Sequence, residues 1–287
     1  MLAPILFSIF INDLAVFMRP FGTVLYADDT TLLCSGRDYN EAVVKMTAAE
    51  ERVCVWFAAN GLKVNTLKTQ KIVLTSNTSA CRGDAVRVLG ILVDESLSWK
   101  DHIGELCKRL SKQLFLLRHL SRSLAGPSLI SAYYGLIHSH ITYGLLIWGN
   151  SVEADRVFKM QKRAVRIICG LGWRVSCRDF FRQLNILPLP SQFLYYSLIY
   201  VRENLTNFNN HASQHHYNTR FASDLVLPRM RLTSSRRNTV DLHMFNKVPE
   251  NIRSLNVAQF KRRIKSYLLV NCFYSTEEYL SAPPWPA

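Results

Sequence analysis

Residues 23–33 read TVLYADDTTLL. Two adjacent carboxylates, Asp28 and Asp29, stand between flanks rich in apolar and β-branched residues. Such flanks favour strands, and a short acidic segment between them favours a tight turn. The stretch therefore predicts an antiparallel hairpin with an acidic tip, and an α+β fold for the N-terminal part of the chain.

An acidic tip of this kind has a definite chemistry. Adjacent aspartates that are buried or half-buried repel each other unless a positive charge neutralises them. Hard divalent cations such as Mg²⁺ take oxygen ligands and suit phosphoryl or nucleotidyl transfer. The alternative is an ordinary Asp-Asp turn on a solvated hairpin, and the four residues 26–29 alone leave both interpretations open.

The bulk composition indicates a globular chain that attracts polyanions. Its net charge is +14, from 35 Lys and Arg against 21 Asp and Glu. Such an excess favours contact with a phosphate backbone, although charge also keeps a basic protein soluble. The seven cysteines form no Cys-x-x-Cys pair, which predicts reduced thiols and an intracellular protein of the nucleus and cytoplasm. No apolar run is long enough to span a bilayer, so no membrane partner is expected.

Hydrophobic periodicity divides the chain near Trp99. Before it, residues 3–18 predict a mostly buried helix, and residues 71–75 and 87–93 predict strands. Between them, a capping box of Asp38 and Glu41 predicts the start of a second helix, and Gly61 predicts its end. After it the period is helical, with helices expected over 100–124, 127–147, 153–170, 176–185 and 190–205.

The C-terminal third is less regular. Residues 206–238 are polar and basic and predict a loop or linker. Residues 240–271 predict two short helices around Pro249, and residues 282–286 are unstructured by composition.

The predicted helix 153–170 is basic and amphipathic. Its apolar residues share one face, and its cations share the other: the residues expected to bind nucleic acid are Lys159, Lys162, Arg163 and Arg166, with Arg156 beside them. Acidic partners are scarce, which favours phosphate contact. A merely solvated basic face is the alternative.

Several further motifs follow the acidic tip in a fixed order. They are GLKVNTLKT at 61–69, VLGILVD at 88–94, Leu97-Ser98-Trp99 with His102, Tyr133-Tyr134-Gly135, Tyr143-Gly144, Trp148-Gly149 and KMQKRA at 159–164. With the hairpin, they resemble the reverse transcriptase of jockey-like non-LTR retrotransposons. The resemblance covers residues 1 to about 205 well and the remainder loosely.

The resemblance implies a partial polymerase, an α+β palm followed by an all-helical region. Residues 1–98 would form the C-terminal part of the palm with a primer-grip hairpin, 99–205 a helical thumb and extension, and 206–287 a basic linker with a helical tail. The implied activity is RNA-directed DNA polymerisation with Mg²⁺ or Mn²⁺, an RNA template, a DNA primer and dNTPs.

The resemblance also implies residue roles. Asp28 and Asp29 would hold the catalytic metal, and Lys68 would lie near the triphosphate, although an ordinary surface lysine is the alternative. Contacts with the primer are implied for Tyr26, Leu89 and Gly90. Without the family, a Gly at this point of a strand would suggest a routine bulge.

Two-metal transfer needs another carboxylate, which the family carries upstream of the hairpin together with the fingers. Asp13 is the only acidic residue before the hairpin, and it is a poor substitute. The chain is therefore expected to be a fragment that is inactive without an upstream finger and palm segment. The alternatives are a non-catalytic nucleic-acid-binding remnant and a decayed retroelement product.

Overall fold

The computed structural model describes residues 2–75, 83–124, 126–210, 223–228 and 240–285. The chain divides into two compact units. The first, Met1–Val73 with Val86–Gly90, is called the N-terminal unit. The second, Leu74–Ala85 with Ile91–Ala287, is called the helical unit. The mixture of helices with small antiparallel hairpins confirms the predicted α+β fold.

The N-terminal unit packs a hairpin onto helices. Its elements are α1 (Ala3–Phe10), α2 (Leu14–Phe17), β1 (Gly22–Tyr26), β2 (Asp29–Leu33), α3 (Tyr39–Ala59) and β3 (Val86–Val88). Its core is small, because the buried cluster comprises six side chains: Ile11, Leu14, Met18, Ala49, Val53 and Trp56. Leu25 and Leu32 of the hairpin pack against this cluster, so the hairpin is held by its inner face.

Local signals fix both ends of α3. Asp38 caps the helix because its carboxylate accepts a hydrogen bond from the Glu41 N–H at 2.8 Å, as the sequence predicts. At the other end Gly61 adopts a φ of 68°, and the Leu62 N–H donates to the Phe57 carbonyl at 2.8 Å. This is the Schellman ending that a glycine allows.

The prediction of a mostly buried helix over 3–18 is wrong in two respects. The segment forms α1 and α2 separately, and no residue of α1 is buried. Ile5 and Ile9 are exposed, whereas Leu14 is fully buried. Periodicity identified apolar residues in the segment, but burial also requires a neighbouring surface that covers them. In α1, Phe7 packs against the core cluster while the other side chains stay exposed.

The strand predicted at 71–75 is absent, since these residues belong to no strand. The Thr75 N–H donates to the Glu95 carbonyl at 3.1 Å. β-Propensity alone does not make a strand, because the backbone also needs a neighbouring strand to bond. Residues 87–93 are not one strand either. They form β3 and β4 (Ile91–Val93), a two-stranded sheet, with Leu89-Gly90 between them.

The helical unit contains the largest core. Its helices are α4 (Lys100–Leu120), α5 (Gly126–Tyr133), α6 (Ser139–Thr142), α7 (Leu145–Trp148), α8 (Ala154–Ile168), α9 (Arg178–Gln183), α10 (Leu189–Glu203), α11 (Val240–Asn246), α12 (Glu250–Arg253), α13 (Val257–Asn271) and α14 (Thr276–Ser281). A π-helical turn, Tyr134–His138, joins α5 to α6, and a 3₁₀ turn, Leu205–Asn207, follows α10. The long helix predicted at 127–147 is thus interrupted. None of the helices in the described ranges is both long and apolar enough to cross a membrane.

The break before α7 has a steric cause. Gly144 has a φ of 63°, and a Cβ there would meet the Ile91 Cδ1 atom at 2.5 Å. Both the backbone conformation and the close approach require glycine. The chain can therefore turn into α7 while Trp148 becomes fully buried.

The C-terminal third is more ordered than its composition predicts. Within the predicted linker, residues 223–228 are held in place: Asn246 exchanges two 2.9 Å hydrogen bonds with the Leu225 backbone, and Arg253 pairs with Asp224 at 2.8 Å. The rest of 211–239 lies outside the described residues. The tail prediction was wrong for Trp285, which is buried and stacks on Tyr267 with ring centroids 3.6 Å apart.

Candidate active site and nucleic-acid surface

The acidic tip lies at the turn of the β1–β2 hairpin. Tyr26 pairs with Asp29 across the strands, so Ala27 and Asp28 form a two-residue connection. Ala27 has a φ of 51°, in the left-handed region that costs an L-residue roughly 1–2 kcal/mol. Strain of this kind is concentrated at tight turns and functional sites.

Both carboxylates of the tip are exposed. Asp28 and Asp29 face water, and water weakens their mutual repulsion compared with a buried pair. The need for a neutralising cation that holds for a buried pair therefore does not apply to this exposed one. Because water screens the two charges, their repulsion at this exposed tip is modest.

The carboxylates offer only part of a metal site. Carboxylate oxygens are the ligands that Mg²⁺ and Mn²⁺ prefer, so the donor chemistry fits. Mg²⁺ nevertheless requires six oxygens in octahedral geometry. Within the ranges that the structure describes, no three His, Cys, Asp or Glu side chains converge. The remaining ligands must come from water, substrate phosphates or another protein segment.

Lys68 lies in a turn braced by Asn65. The Asn65 carbonyl accepts hydrogen bonds from the Lys68 and Thr69 N–H groups, both at 3.1 Å, and its side-chain oxygen accepts one from the Leu67 N–H at 3.2 Å. Asn65 thus braces this turn through both its carbonyl and its side chain. Lys68 itself is exposed, in the same compact unit as the acidic tip.

Leu89 and Gly90 form the turn between β3 and β4. Their φ angles are 46° and 84°, and positive values at both positions are typical of the tightest hairpin turns. The sequence predicted that Gly90 lies inside a strand, but it lies in a turn. A leucine is unusual in this conformation. Leu89 is 40% exposed, so its side chain is available at the surface.

The helix α8 has the predicted two faces. Val157, Met160, Ala164 and Val165 are buried, which confirms the apolar side. Buried among them is Gln161, whose amide bonds the Tyr133 hydroxyl, the Leu187 carbonyl and the Leu189 N–H at 2.7–3.0 Å. This polar residue interrupts the apolar face that the periodicity predicts.

The four cations predicted to bind nucleic acid have different surroundings. Lys159 pairs with Asp155 at 2.6 Å, and Arg163 is exposed beside Met160, with 3.6 Å between a guanidinium nitrogen and the sulfur. Both remain at the surface, where an ion pair is weak and easily exchanged.

The other two cations are engaged within the protein. The Lys162 ammonium lies over the Phe158 ring at 4.3 Å, and burial lowers the pKa of Lys162. The Arg166 guanidinium donates to the Val175 carbonyl at 3.0 and 3.2 Å. Lys159 and Arg163 are therefore the cations of this face best placed to meet a phosphate.

Two features near these sites were missed from the sequence. Asp94 organises the turn before α4, accepting hydrogen bonds from Ser96, Ser98 and Trp99 at 2.7–2.9 Å. Trp173, beyond α8, is 76% exposed. The sequence did contain a signal for Trp173, because it lies within residues 156–178, which contain seven Lys or Arg and no Asp or Glu.

Comparisons with known proteins match the expectation from the motifs. Residues 1–93 match the family "Reverse transcriptase (RNA-dependent DNA polymerase)". The chain is 25% identical over 240 residues to a probable RNA-directed DNA polymerase from transposon BS of Drosophila melanogaster. The aligned residues cover 75% of this chain and 26% of that protein. The chain is 22% identical over 239 residues to the corresponding X-element protein of the same species, covering 76% and 25%.

A third relative belongs to another fly. The RNA-directed DNA polymerase from mobile element jockey of Drosophila funebris is 23% identical over 209 residues, which cover 64% of this chain and 23% of that protein. The predicted resemblance to non-LTR retrotransposon reverse transcriptases is thus confirmed. The chain spans about a quarter of the length of these relatives. No solved structure shows significant similarity.

Proposed function

We propose that this chain forms part of the catalytic and nucleic-acid-binding surface of an RNA-directed DNA polymerase. Its substrates would be an RNA template, a DNA primer and deoxynucleoside triphosphates. The observation that carries the proposal is the pair Asp28 and Asp29 at a hairpin turn, inside the segment that matches the reverse transcriptase family.

In this proposal the carboxylates of the tip would hold Mg²⁺ or Mn²⁺. When bound, such a cation neutralises charge on the triphosphate and stabilises the attacking and leaving oxygens. Asp28 and Asp29 supply its carboxylate ligands. Tyr26, which is exposed and paired with Asp29, lies against the primer end, and the Lys68 ammonium offsets charge on the departing pyrophosphate.

Two further surfaces position the nucleic acid. The exposed turn at Leu89-Gly90 contacts the primer, where glycine permits close backbone approach. Lys159 and Arg163 of α8 bind phosphates. Lys162 and Arg166 contribute positive charge, although Lys162 lies over the Phe158 ring and Arg166 bonds the Val175 carbonyl. Binding through phosphates should depend strongly on salt and weakly on sequence.

We expect the chain alone not to extend a primer. Two carboxylates leave most of an octahedral shell unfilled, and positioning of the triphosphate supplies much of the rate in phosphoryl transfer. The test is primer extension on an RNA template with Mg²⁺ and dNTPs, with Asp28→Ala/Asp29→Ala as the control. If the native chain extends the primer and the double variant does not, the expectation that the chain is inactive alone is disproved. The same result would support metal binding by Asp28 and Asp29.

A binding measurement tests the metal role without activity. Mn²⁺ titration followed by electron paramagnetic resonance should give a weaker affinity for Asp28→Asn/Asp29→Asn than for the native chain. Glu51→Gln removes an exposed carboxylate from α3 of the same unit and serves as the control for the loss of a surface negative charge. Equal affinities for all three proteins would favour the non-catalytic alternative.

The phosphate contacts have a separate test. Lys159→Ala/Arg163→Ala should weaken duplex binding and flatten the slope of log affinity against log salt by roughly 2, since each lost phosphate contact removes about 0.9. The control is Arg262→Ala/Arg263→Ala, which removes the same charge from exposed positions of α13. An identical slope change in the control would indicate a general charge effect and refute the α8 surface.

A further inference from the structure

Trp173 differs from the other tryptophans of the chain. Trp56, Trp148 and Trp285 are buried and Trp99 is half-buried, whereas Trp173 is 76% exposed. A single exposed apolar side chain is ordinary on a protein surface. What distinguishes this one is the fixed loop that carries it and the charge around it.

The loop that carries Trp173 is fixed at both ends by one residue of α8. Gly170 ends the helix with a φ of 64°, and the Leu171 N–H donates to the Arg166 carbonyl at 2.9 Å, which completes a Schellman ending. The Arg166 guanidinium then donates twice to the Val175 carbonyl. The backbone on both sides of Trp173 is thereby held, so the indole is presented at low entropic cost.

The charge around the loop suits a polyanion. No acidic residue occurs between Arg156 and Arg178. The Arg174 guanidinium carbon lies 4.5 Å from the Trp173 ring centroid, so this cation lies over one part of the ring while most of the indole remains open to solvent. The exposed Arg163 belongs to the helix that leads into the loop. An open indole with a stacked guanidinium in basic surroundings combines the two elements of single-strand recognition, a stacking platform and a phosphate partner.

We propose that Trp173 stacks on an unpaired base of a single-stranded nucleic acid while Arg174 contacts an adjacent phosphate. A base inside a duplex is already stacked on its neighbours, so this site selects single strands over duplexes. The inference rests on the proposed phosphate contacts of α8 and extends them. Lys159 and Arg163 would bind the backbone of either form, and Trp173 would add affinity only for an unpaired strand.

The test compares single strands with a duplex. Oligo(dT) and oligo(U) of about 16 nucleotides, and a duplex of equal length, are titrated against the full chain by fluorescence anisotropy. Trp173→Ala should weaken single-strand binding about tenfold, in keeping with the stacking energy of one base, and leave duplex binding within about twofold. Trp173→Phe should retain most of the single-strand affinity, because the smaller ring still stacks. Comparing the two oligomers shows whether RNA or DNA is preferred.

Intrinsic emission gives an independent readout. Stacking on a base quenches tryptophan fluorescence, and Trp173 is the most exposed indole of the five. The native chain should therefore show quenching on oligomer binding that Trp173→Phe lacks. The matched control is Tyr200→Ala, which removes an exposed aromatic side chain of α10 and should change neither affinity nor quenching. An unchanged melting temperature for each variant verifies that the fold is intact.

The outcomes separate this inference from the proposed function. Unchanged single-strand affinity in Trp173→Ala, with weaker binding by Lys159→Ala/Arg163→Ala, overturns the stacking site and leaves the α8 phosphate surface standing. Equal losses for duplex and single strand in Trp173→Ala also overturn it, because they indicate a contact that does not depend on an open base. Failure of the native chain to bind any of the three nucleic acids refutes both.

Discussion

The two compact units distribute their apolar residues differently. In the N-terminal unit most exposed side chains of α1 are apolar, the core is small, and the acidic tip lies on a hairpin held by one face. In the helical unit a single buried cluster extends from Ile103 on α4 to Trp285 in the tail. The residues proposed for chemistry and for primer contact therefore lie on the less buried unit, and the phosphate-binding face of α8 lies on the better packed one.

The largest expected effect comes from making the same Leu→Ala substitution once in each unit. Leu110→Ala removes a fully buried side chain of α4, and Leu6→Ala removes one that is 57% exposed on α1. We expect losses in the free energy of unfolding of about 4 kcal/mol and below about 0.5 kcal/mol, because a core deletion leaves a cavity and a surface deletion does not. Urea unfolding followed by circular dichroism measures both.

The contrast between the units would be disproved by similar losses in the two variants. A large loss for Leu6→Ala would mean that α1 is covered in solution. A small loss for Leu110→Ala would mean that the core of the helical unit tolerates a cavity.

A slightly smaller effect is expected from the buried amide of α8. Gln161→Leu keeps much of the volume but leaves the Leu189 N–H, the Leu187 carbonyl and the Tyr133 hydroxyl without their partner. Buried polar groups left unpaired cost about 1–3 kcal/mol each, so a loss of roughly 3 kcal/mol is expected. Measured stability equal to that of the native chain would show that water replaces the amide.

What the sequence could predict follows from how local each signal is. The α8 pattern repeats every few residues, and Asp38 and Gly61 act within one helical turn, so these features were predicted correctly. The exposure of Ile9 and the absence of a strand at 71–75 depend on whether a neighbouring surface exists. No pattern within the segment itself contains that information.

The same distinction applies to the candidate site. The acidic tip is local, since Asp28 and Asp29 are adjacent and their flanks pair directly. Lys162 has one local aromatic partner, Phe158, at 4.3 Å and four residues away. Its other partner, Tyr274, lies far along the chain and 5.5 Å from the ammonium in space. Basic character could therefore be predicted for α8, but not which of its cations stay free for a phosphate.

The turn before α4 gives a pH-dependent prediction. Burial raises the pKa of Asp94, but hydrogen bonds from Ser96, Ser98 and Trp99 outweigh it and hold that pKa below its ordinary value. A carboxyl with a lowered pKa stabilises the fold above its unfolded pKa of about 3.9 and loses that contribution as the pH falls. Asp94→Asn should therefore cost about 1 kcal/mol at pH 7, since bonds to a charged acceptor are stronger.

Unfolding curves collected between pH 7 and pH 2 check this sign. The difference between native chain and Asp94→Asn should shrink as the pH falls below about 4. Glu278, whose pKa is also lowered, by the Tyr274 N–H and Arg178 against the opposing effect of burial, remains in both proteins and keeps some acid sensitivity. A difference that is constant over this range would mean that the Asp94 charge is unimportant.

The smallest effects come from exchanging glycine and alanine at two left-handed positions of the N-terminal unit. Ala27 at the acidic tip has a φ of 51°, and Gly61 after α3 has a φ of 68° with open space where a Cβ would stand. Gly61→Ala should cost about 1 kcal/mol, which is the left-handed penalty less the gain from the smaller freedom of alanine in the unfolded chain. Ala27→Gly should stabilise by less than 1 kcal/mol, because relief of the same penalty is partly offset by the greater freedom of glycine in the unfolded chain. Destabilisation by Ala27→Gly would show that the alanine methyl group makes a favourable contact at the tip. In that case the small residue before the aspartates would be selected for packing, and the strain at the turn would be incidental to the proposed metal site.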